Sequence, residues 1–97
     1  MFREVNESIE KLSRVSGQPI TFVCECLNMA CTDPISIGHS EYEDERRDPT
    51  RFFVLPGHEL LDVESVIKQT PRYHVVRKLG VAGEIATALD PRADDDS

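Results

Sequence analysis

Three cysteines, the only ones in the chain, lie close together in the segment FVCECLNMAC, residues 22–31. Cys24 and Cys26 are two positions apart, so on an extended strand their side chains point to the same face. The residues that follow are numerous enough to turn back and bring Cys31 to that face. Three thiolates and one further ligand would complete the tetrahedral shell of a zinc ion. The spacing therefore predicts a metal site in which zinc is structural.

The fourth ligand must come from one of the three histidines. His58 is favoured because it directly follows Pro56-Gly57, where a tight turn can aim a side chain back at a neighbouring strand. His39 is closer to the cysteines in sequence and remains the competing choice. His74 lies inside a predicted strand, a position typical of a half-buried structural histidine.

Other chemistry is less well supported by these residue types. Three cysteines can also pack in a core as small apolar residues, but Glu25, between two of them, suggests a turn at the surface. The spacing does not match the C-x-x-C of thiol oxidoreductases. His58-Glu59 lacks the second histidine of H-E-x-x-H, and phosphate loops and nucleophile elbows are absent. We therefore predict that the protein is not an enzyme.

Helices and strands must position this site. An apolar stripe at helical spacing predicts an N-terminal amphipathic helix over residues 2–15, ended by residues 16–19. The stripe can pack on the sheet or supply a dimer face, and it consists of Phe2, Val5, Ile9 and Leu12. Runs of β-branched and aromatic residues predict strands over 20–24, 35–38 and 51–55.

The remaining segments are shorter or ambiguous. Ser40-x-x-Glu43 has the form of a capping box, which predicts a short helix through Arg47. This helix is expected on the surface because Tyr42 is its only large apolar residue. Residues 63–78 favour a hairpin turning at Thr70-Pro71, with a helix over 63–70 as the alternative. A last short helix is predicted over 81–89. The fold class is α+β: a small antiparallel sheet, an N-terminal amphipathic helix and one or two short helices, stapled by zinc.

Chain length and composition predict one small domain. The chain has 97 residues, which fits a single domain over 1–89 followed by a disordered acidic tail over 90–97. No apolar run approaches the roughly 20 residues that a membrane span needs, and the N-terminus does not look like a secretory signal. An odd number of cysteines argues against a disulfide framework. We expect a cytoplasmic protein.

Charge limits the choice of partner. The formal net charge is −7, which repels nucleic acid at long range. The first hypothesis is a protein-interaction or regulatory module, with Tyr42 as a possible anchor on an acidic surface formed by Glu41, Glu43, Asp44, Glu45 and Asp48. The alternative is a nucleic-acid-binding regulator that uses the basic hairpin residues Lys68, Arg72, Arg77 and Lys78. The oligomeric state is left open.

The strings FVCEC, EYE, PGHE and YHVVRK, followed by DPR, resemble a family of small bacterial proteins, mostly actinobacterial. The resemblance covers about residues 22–92. It implies that Cys24, Cys26, Cys31 and His58 act together as the ligand set. The chain differs from the family at LNMA, residues 27–30, where a more polar loop is expected. The family has no established activity, so the resemblance implies the site and leaves the function open.

Overall fold

The computed structural model describes residues 2–12, 19–28 and 30–92. Three helices and five strands follow one another in this part of the chain: α1 (Arg3–Leu12), β1 (Ile20–Val23), β2 (Pro34–Ile37), α2 (His39–Arg46), β3 (Arg51–Val54), β4 (Glu64–Gln69), β5 (His74–Lys78) and α3 (Gly80–Ala88). The predicted α+β class is confirmed. The first helix was predicted to extend to residue 15 and to be ended by residues 16–19, and of these positions residues 13–18 lie outside the described residues.

The strands form two small antiparallel sheets rather than one. β1 pairs with β2, with Ile20 opposite Ile37 and Val23 opposite Pro34. The second sheet has the order β3-β5-β4, with β5 in the centre. Residues 64–78 form the predicted hairpin, so the helical alternative for 63–70 is wrong. The hairpin turn is closed by Thr70, whose amide and hydroxyl both donate to the Tyr73 carbonyl, at 2.9 and 2.8 Å.

An aromatic stack joins the two sheets through α2. The Tyr42 ring lies between Phe22 of β1, at a centroid distance of 4.3 Å, and Phe53 of β3, at 5.3 Å. Tyr42 is fully buried. The prediction of Tyr42 as a surface anchor is therefore wrong, because its ring is stacked between the two sheets. The helix itself does lie at the surface, since Ser40, Glu41 and Asp44 are exposed. The predicted capping box is also absent, since α2 starts at His39 and its N-cap is Gly38, without a side-chain cap.

Helix α1 packs against the domain through its polar face. Its buried residues are Arg3, Asn6, Glu7 and Glu10, which recur at helical spacing. From the predicted apolar stripe, Val5 is 45% exposed and Leu12 is 86% exposed, whereas Phe2 is half-buried and Ile9 packs against the core. The helix was correctly predicted over residues 3–12, but the face it buries most fully is the polar one.

The groups opposite α1 explain why its polar face is buried. Asn6 Nδ2 donates to the Val23 carbonyl at 2.7 Å, and the Val23 amide donates back to Asn6 Oδ1 at 2.8 Å. The Arg3 guanidinium donates to the carbonyls of Pro49 and Ala86, at 2.8 and 2.9 Å. Burying backbone amides and carbonyls without hydrogen-bond partners costs free energy. The face of α1 that packs here is therefore the polar one, because its side chains supply those partners.

Helix α3 lies close to the end of β5. A Cβ atom on Gly83 would lie 2.8 Å from the Lys78 carbonyl oxygen, so only glycine allows this approach.

No helix in the described part of the chain is long and apolar enough to cross a bilayer. Arg92, which follows the predicted boundary at 89, pairs with Glu7 and Glu43 at 2.7 Å each. Residues 93–97 of the predicted tail lie outside the described residues.

A buried ion pair connects α2 to the segment that carries the cysteines. Arg46 Nη2 lies 2.6 Å from Glu25 Oε2, and both side chains have no solvent exposure. We predict that Arg46→Ala lowers the free energy of unfolding by about 3–5 kcal/mol, because it leaves a buried carboxylate without its cation. Urea unfolding of the metal-loaded protein measures this change.

The matched control is Arg47→Ala, on the next residue of the same segment. The Arg47 side chain is 79% exposed, and its pair with Asp44 spans 3.7 Å. Exposed pairs of this kind contribute little, so this variant should unfold like the wild type. Equal unfolding of both variants would contradict the role given to Arg46.

Candidate metal centre

The structure brings together all three cysteines and His58. The four donor atoms, one from each side chain, lie within 4.8 Å of one another. Cys24 and Cys26 follow β1, Cys31 precedes β2, and His58 follows β3. The three cysteines are buried, and His58 is the least buried of the four. This cluster could hold a metal ion.

The measured distances suit a tetrahedral ion. Cys24 Sγ and Cys31 Sγ each lie 3.6 Å from His58 Nδ1. With metal–sulfur and metal–nitrogen bonds of about 2.3 and 2.0 Å, a tetrahedron has a sulfur–nitrogen edge of about 3.5 Å. An ion of this kind would therefore fit with little movement of these three donors.

A tight turn aims His58 at the cysteines. Gly57 has a φ of 91°, which glycine adopts without steric cost. The His58 amide donates to the Leu55 carbonyl at 2.9 Å, and Pro56 occupies the position where its fixed φ suits such a turn. The Pro-Gly signal thus identified this turn from the sequence.

Backbone groups hold the thiols in place. The Leu55 amide donates to Cys24 Sγ at 3.3 Å, and the Cys31 amide donates to the Asn28 carbonyl at 3.0 Å. Burial raises the pKa of the Cys24 thiol to about 12. Without a cation this sulfur therefore stays protonated at neutral pH, whereas a bound metal would stabilise its thiolate.

Glu25 is the residue at this site that the sequence analysis misplaced. Its side chain is fully buried, not part of a surface turn. Its carboxylate accepts hydrogen bonds from Asn6 Nδ2 at 2.7 Å, Arg46 Nη2 at 2.6 Å and the Phe53 amide at 2.9 Å. Because Glu25 lies between Cys24 and Cys26, this buried anchor also holds in place the backbone that carries both cysteines.

The other two histidines lie elsewhere. His39 Nε2 is 2.9 Å from Glu10 and 3.7 Å from Glu43, so it belongs to a separate group of α1 and α2 side chains. His74 Nδ1 is 3.3 Å from Glu59. Of the candidates for the fourth ligand, only His58 is placed with the cysteines.

The basic hairpin is less positive than its sequence indicates. Lys78 is buried and paired with Glu64. Lys68 Nζ lies 3.8 Å from Glu45. Arg72 and Arg77 are exposed, so two of the four predicted cations face carboxylates of the same protein.

Comparisons with protein-family models, with curated proteins and with solved structures find no match for this chain. The family resemblance described above therefore stays a prediction.

The ligand set predicts how single variants bind metal. The purified, reduced protein should carry about one zinc ion per chain, as a closed site with four ligands does. His58→Ala should weaken zinc binding strongly, because one of the four donors is lost. Titration against a chromophoric zinc chelator measures the affinity.

His39→Ala is the matched control, because it removes the competing histidine on α2. It should retain zinc with the affinity of the wild type. Loss of zinc in His39→Ala, with retention in His58→Ala, would show that the assigned set is wrong.

The raised pKa of Cys24 makes the metal-free protein sensitive to alkali. The ordinary thiol value is 9.0, and the folded value is about 12, so the unfolded chain loses this proton first as the pH rises. The protonated Cys24 thiol therefore contributes to the free energy of unfolding below the ordinary pKa of 9.0, and this contribution is lost as the pH rises towards the folded pKa of about 12. Urea unfolding with chelator and reductant, at about pH 7 and about pH 10, should show the decline.

Cys24→Ala isolates the effect of this thiol from that of other groups that titrate in alkali. The metal-free variant should lose less stability than the metal-free wild type over the same pH interval. An equal loss in both would contradict the effect assigned to Cys24.

Proposed function

We propose that this chain is a small zinc protein in which the metal is structural and the folded surface binds another protein. The observation that carries the proposal is the convergence of three buried thiols and one imidazole at distances that suit a tetrahedral ion. Thiolate-rich sets with four protein ligands are typical of structural zinc. Catalytic zinc instead keeps one position open for water, so we propose no enzymatic role.

The size of the protein supports a structural role for the metal. A chain of this length buries only a limited apolar core, and here part of the interior is polar, with Arg46, Glu25 and Asn6 all buried. Binding of structural zinc contributes about 10–16 kcal/mol in small domains. Since thiol ligands must stay reduced, we place the protein in a reducing compartment, the cytoplasm.

A protein partner is supported by exposed aliphatic side chains rather than by the acidic surface predicted first. Several acidic groups of that surface are paired within the protein: Glu43 with Arg92, and Glu45 with Arg51 at 2.7 Å. In contrast, large aliphatic side chains are exposed at several places, including Leu60 and Leu61 near the metal centre. Exposed apolar surface of this kind is typical of interaction sites when it is contiguous.

The nucleic-acid alternative has less support. Lys78 is buried against Glu64, and the net charge is −7. Polyanion binding needs an uncompensated basic surface. We therefore expect no retention on a DNA or RNA column at low salt.

The structural role of zinc is tested by chelation. Under reducing conditions EDTA should strongly lower the midpoint of the cooperative thermal transition, because the metal's contribution is comparable to the whole stability of a small domain, about 5–15 kcal/mol. Calorimetry or circular dichroism measures the transition. Added zinc should restore the midpoint, and added magnesium should not, since magnesium prefers oxygen ligands.

Two further measurements bear on this proposal. A melting curve that EDTA leaves unchanged would contradict a structural zinc site. Capture of partners from the host, with and without chelator, tests the interaction role: a specific protein that binds only the metal-loaded form supports it, whereas nucleic acid as the captured species would favour the alternative.

A further inference from the structure

A cleft lies directly beside the metal centre. Its volume is about 400 Å³, and it is lined by Cys26, Leu27, Asn28, His58, Glu59 and Leu60. Two of the candidate metal ligands contribute to the lining, while Cys24 and Cys31 do not. The cleft is therefore on the outer side of the cluster, next to the ion that the cluster would hold.

The cleft has two walls, and each wall carries one candidate ligand. The first wall is the segment 26–28, which holds Cys26, and the second is the segment 58–60, which holds His58. These walls lie about 30 residues apart in the chain, and an ion bound by both ligands would cross-link them. The geometry of the cleft is thus tied to the metal.

Hydrogen bonds fix the second wall. The Leu60 amide donates to Glu64 Oε1 at 2.7 Å, and the Gly57 amide donates to Glu59 Oε2 at 3.0 Å. On the first wall, Asn28 Oδ1 accepts from the Ala30 amide at 3.0 Å. Fixed walls favour binding, because little conformational entropy is lost when a ligand enters.

The two walls present leucines to the cleft. Leu27 is 41% exposed and Leu60 is 44% exposed. Leu61, the next residue along, is 68% exposed. A large aliphatic side chain placed between Leu27 and Leu60 would remove apolar surface from water on both walls, at about 25 cal/mol per Å².

The charge of the lining indicates what must flank this aliphatic group. Glu59 is the carboxylate of the cleft, and no Lys or Arg is among the described residues that line the cleft. Asp62, two residues beyond Leu60, is exposed. The cleft therefore combines apolar walls with negative charge, which is complementary to a cationic ligand.

We propose that this cleft binds a linear segment of a partner protein that inserts one large aliphatic side chain between Leu27 and Leu60 and places a Lys or Arg beside Glu59. The proposal rests on the proposed function, since it names the surface and the partner chemistry of the same interaction module. A cationic, aliphatic peptide also suits the overall charge of −7, which attracts such segments at long range.

A displayed library of random peptides, selected against the zinc-loaded protein, tests this chemistry. The enriched peptides should share a Leu, Ile or Met flanked by Lys or Arg. One such peptide is then synthesised, and its affinity is measured by fluorescence anisotropy at two salt concentrations. Affinity should fall at higher salt, because part of the attraction is between exposed charges.

Two matched variants locate the binding site. Leu60→Asp should weaken the synthesised peptide about tenfold or more, whereas Val81→Asp should leave its affinity within about twofold. Val81 is a suitable control because it is an exposed aliphatic residue, 69% exposed, on α3. Zinc content and melting curves of both variants should match the wild type, which shows that the fold is intact.

Other outcomes overturn the proposal. These are the absence of a shared sequence among the selected peptides, an acidic consensus, or binding that Leu60→Asp leaves unchanged. Binding abolished by Val81→Asp instead would place the interaction on α3, so the protein-binding function would stand while the cleft would not. Dimerisation abolished by Leu60→Asp, seen by sedimentation, would show that a second copy of this chain occupies the cleft.

Discussion

The three hydrogen bonds to the Glu25 carboxylate are the interaction on which the rest of this structure depends. They come from α1, α2 and β3, through Asn6, Arg46 and the Phe53 amide. A buried carboxylate with these partners is strongly held in one position, because any displacement would leave a charge without compensation. Since Glu25 lies between Cys24 and Cys26, the same contacts determine where two of the thiols point. The packing of the domain and the geometry of the candidate metal centre are therefore set by one side chain.

This arrangement gives the protein a more polar interior than a small domain usually has. The buried face of α1 is made of charged and amide side chains, and Arg46 is stacked over the rings of Tyr42 and Phe53, at 4.7 and 5.2 Å. Such networks contribute less to stability than apolar packing of the same volume, although they require a specific arrangement of partners. A cation that cross-links three thiols and an imidazole would supply stability that this interior lacks. The polar interior and the metal centre are in this sense complementary.

The same metal cross-link would also connect the stability of the fold to the geometry of the cleft. Cys26 and His58 each belong to a wall of the cleft that presents Leu27 and Leu60. A metal ion that holds the fold would therefore also hold two leucines at a fixed separation, on segments that strand pairing does not join directly. A structural ion can in this way define a binding surface without taking part in any chemistry.

The sequence by itself determined the features that depend on neighbours along the chain. Side-chain alternation placed Cys24 and Cys26 on one face, Pro56-Gly57 identified the turn that aims His58, and β-branched runs located β1, β3 and the hairpin strands. Only the tertiary structure decided which faces are buried. The polar face of α1 is buried because Asn6 meets the backbone of Val23 and the carboxylate of Glu25, and Glu25 is buried because Arg46 reaches it from 21 residues away. The periodicity of apolar residues indicates which helix face avoids water. It carries no information about a polar group, distant in the chain, that hydrogen-bonds to the opposite face in the folded protein.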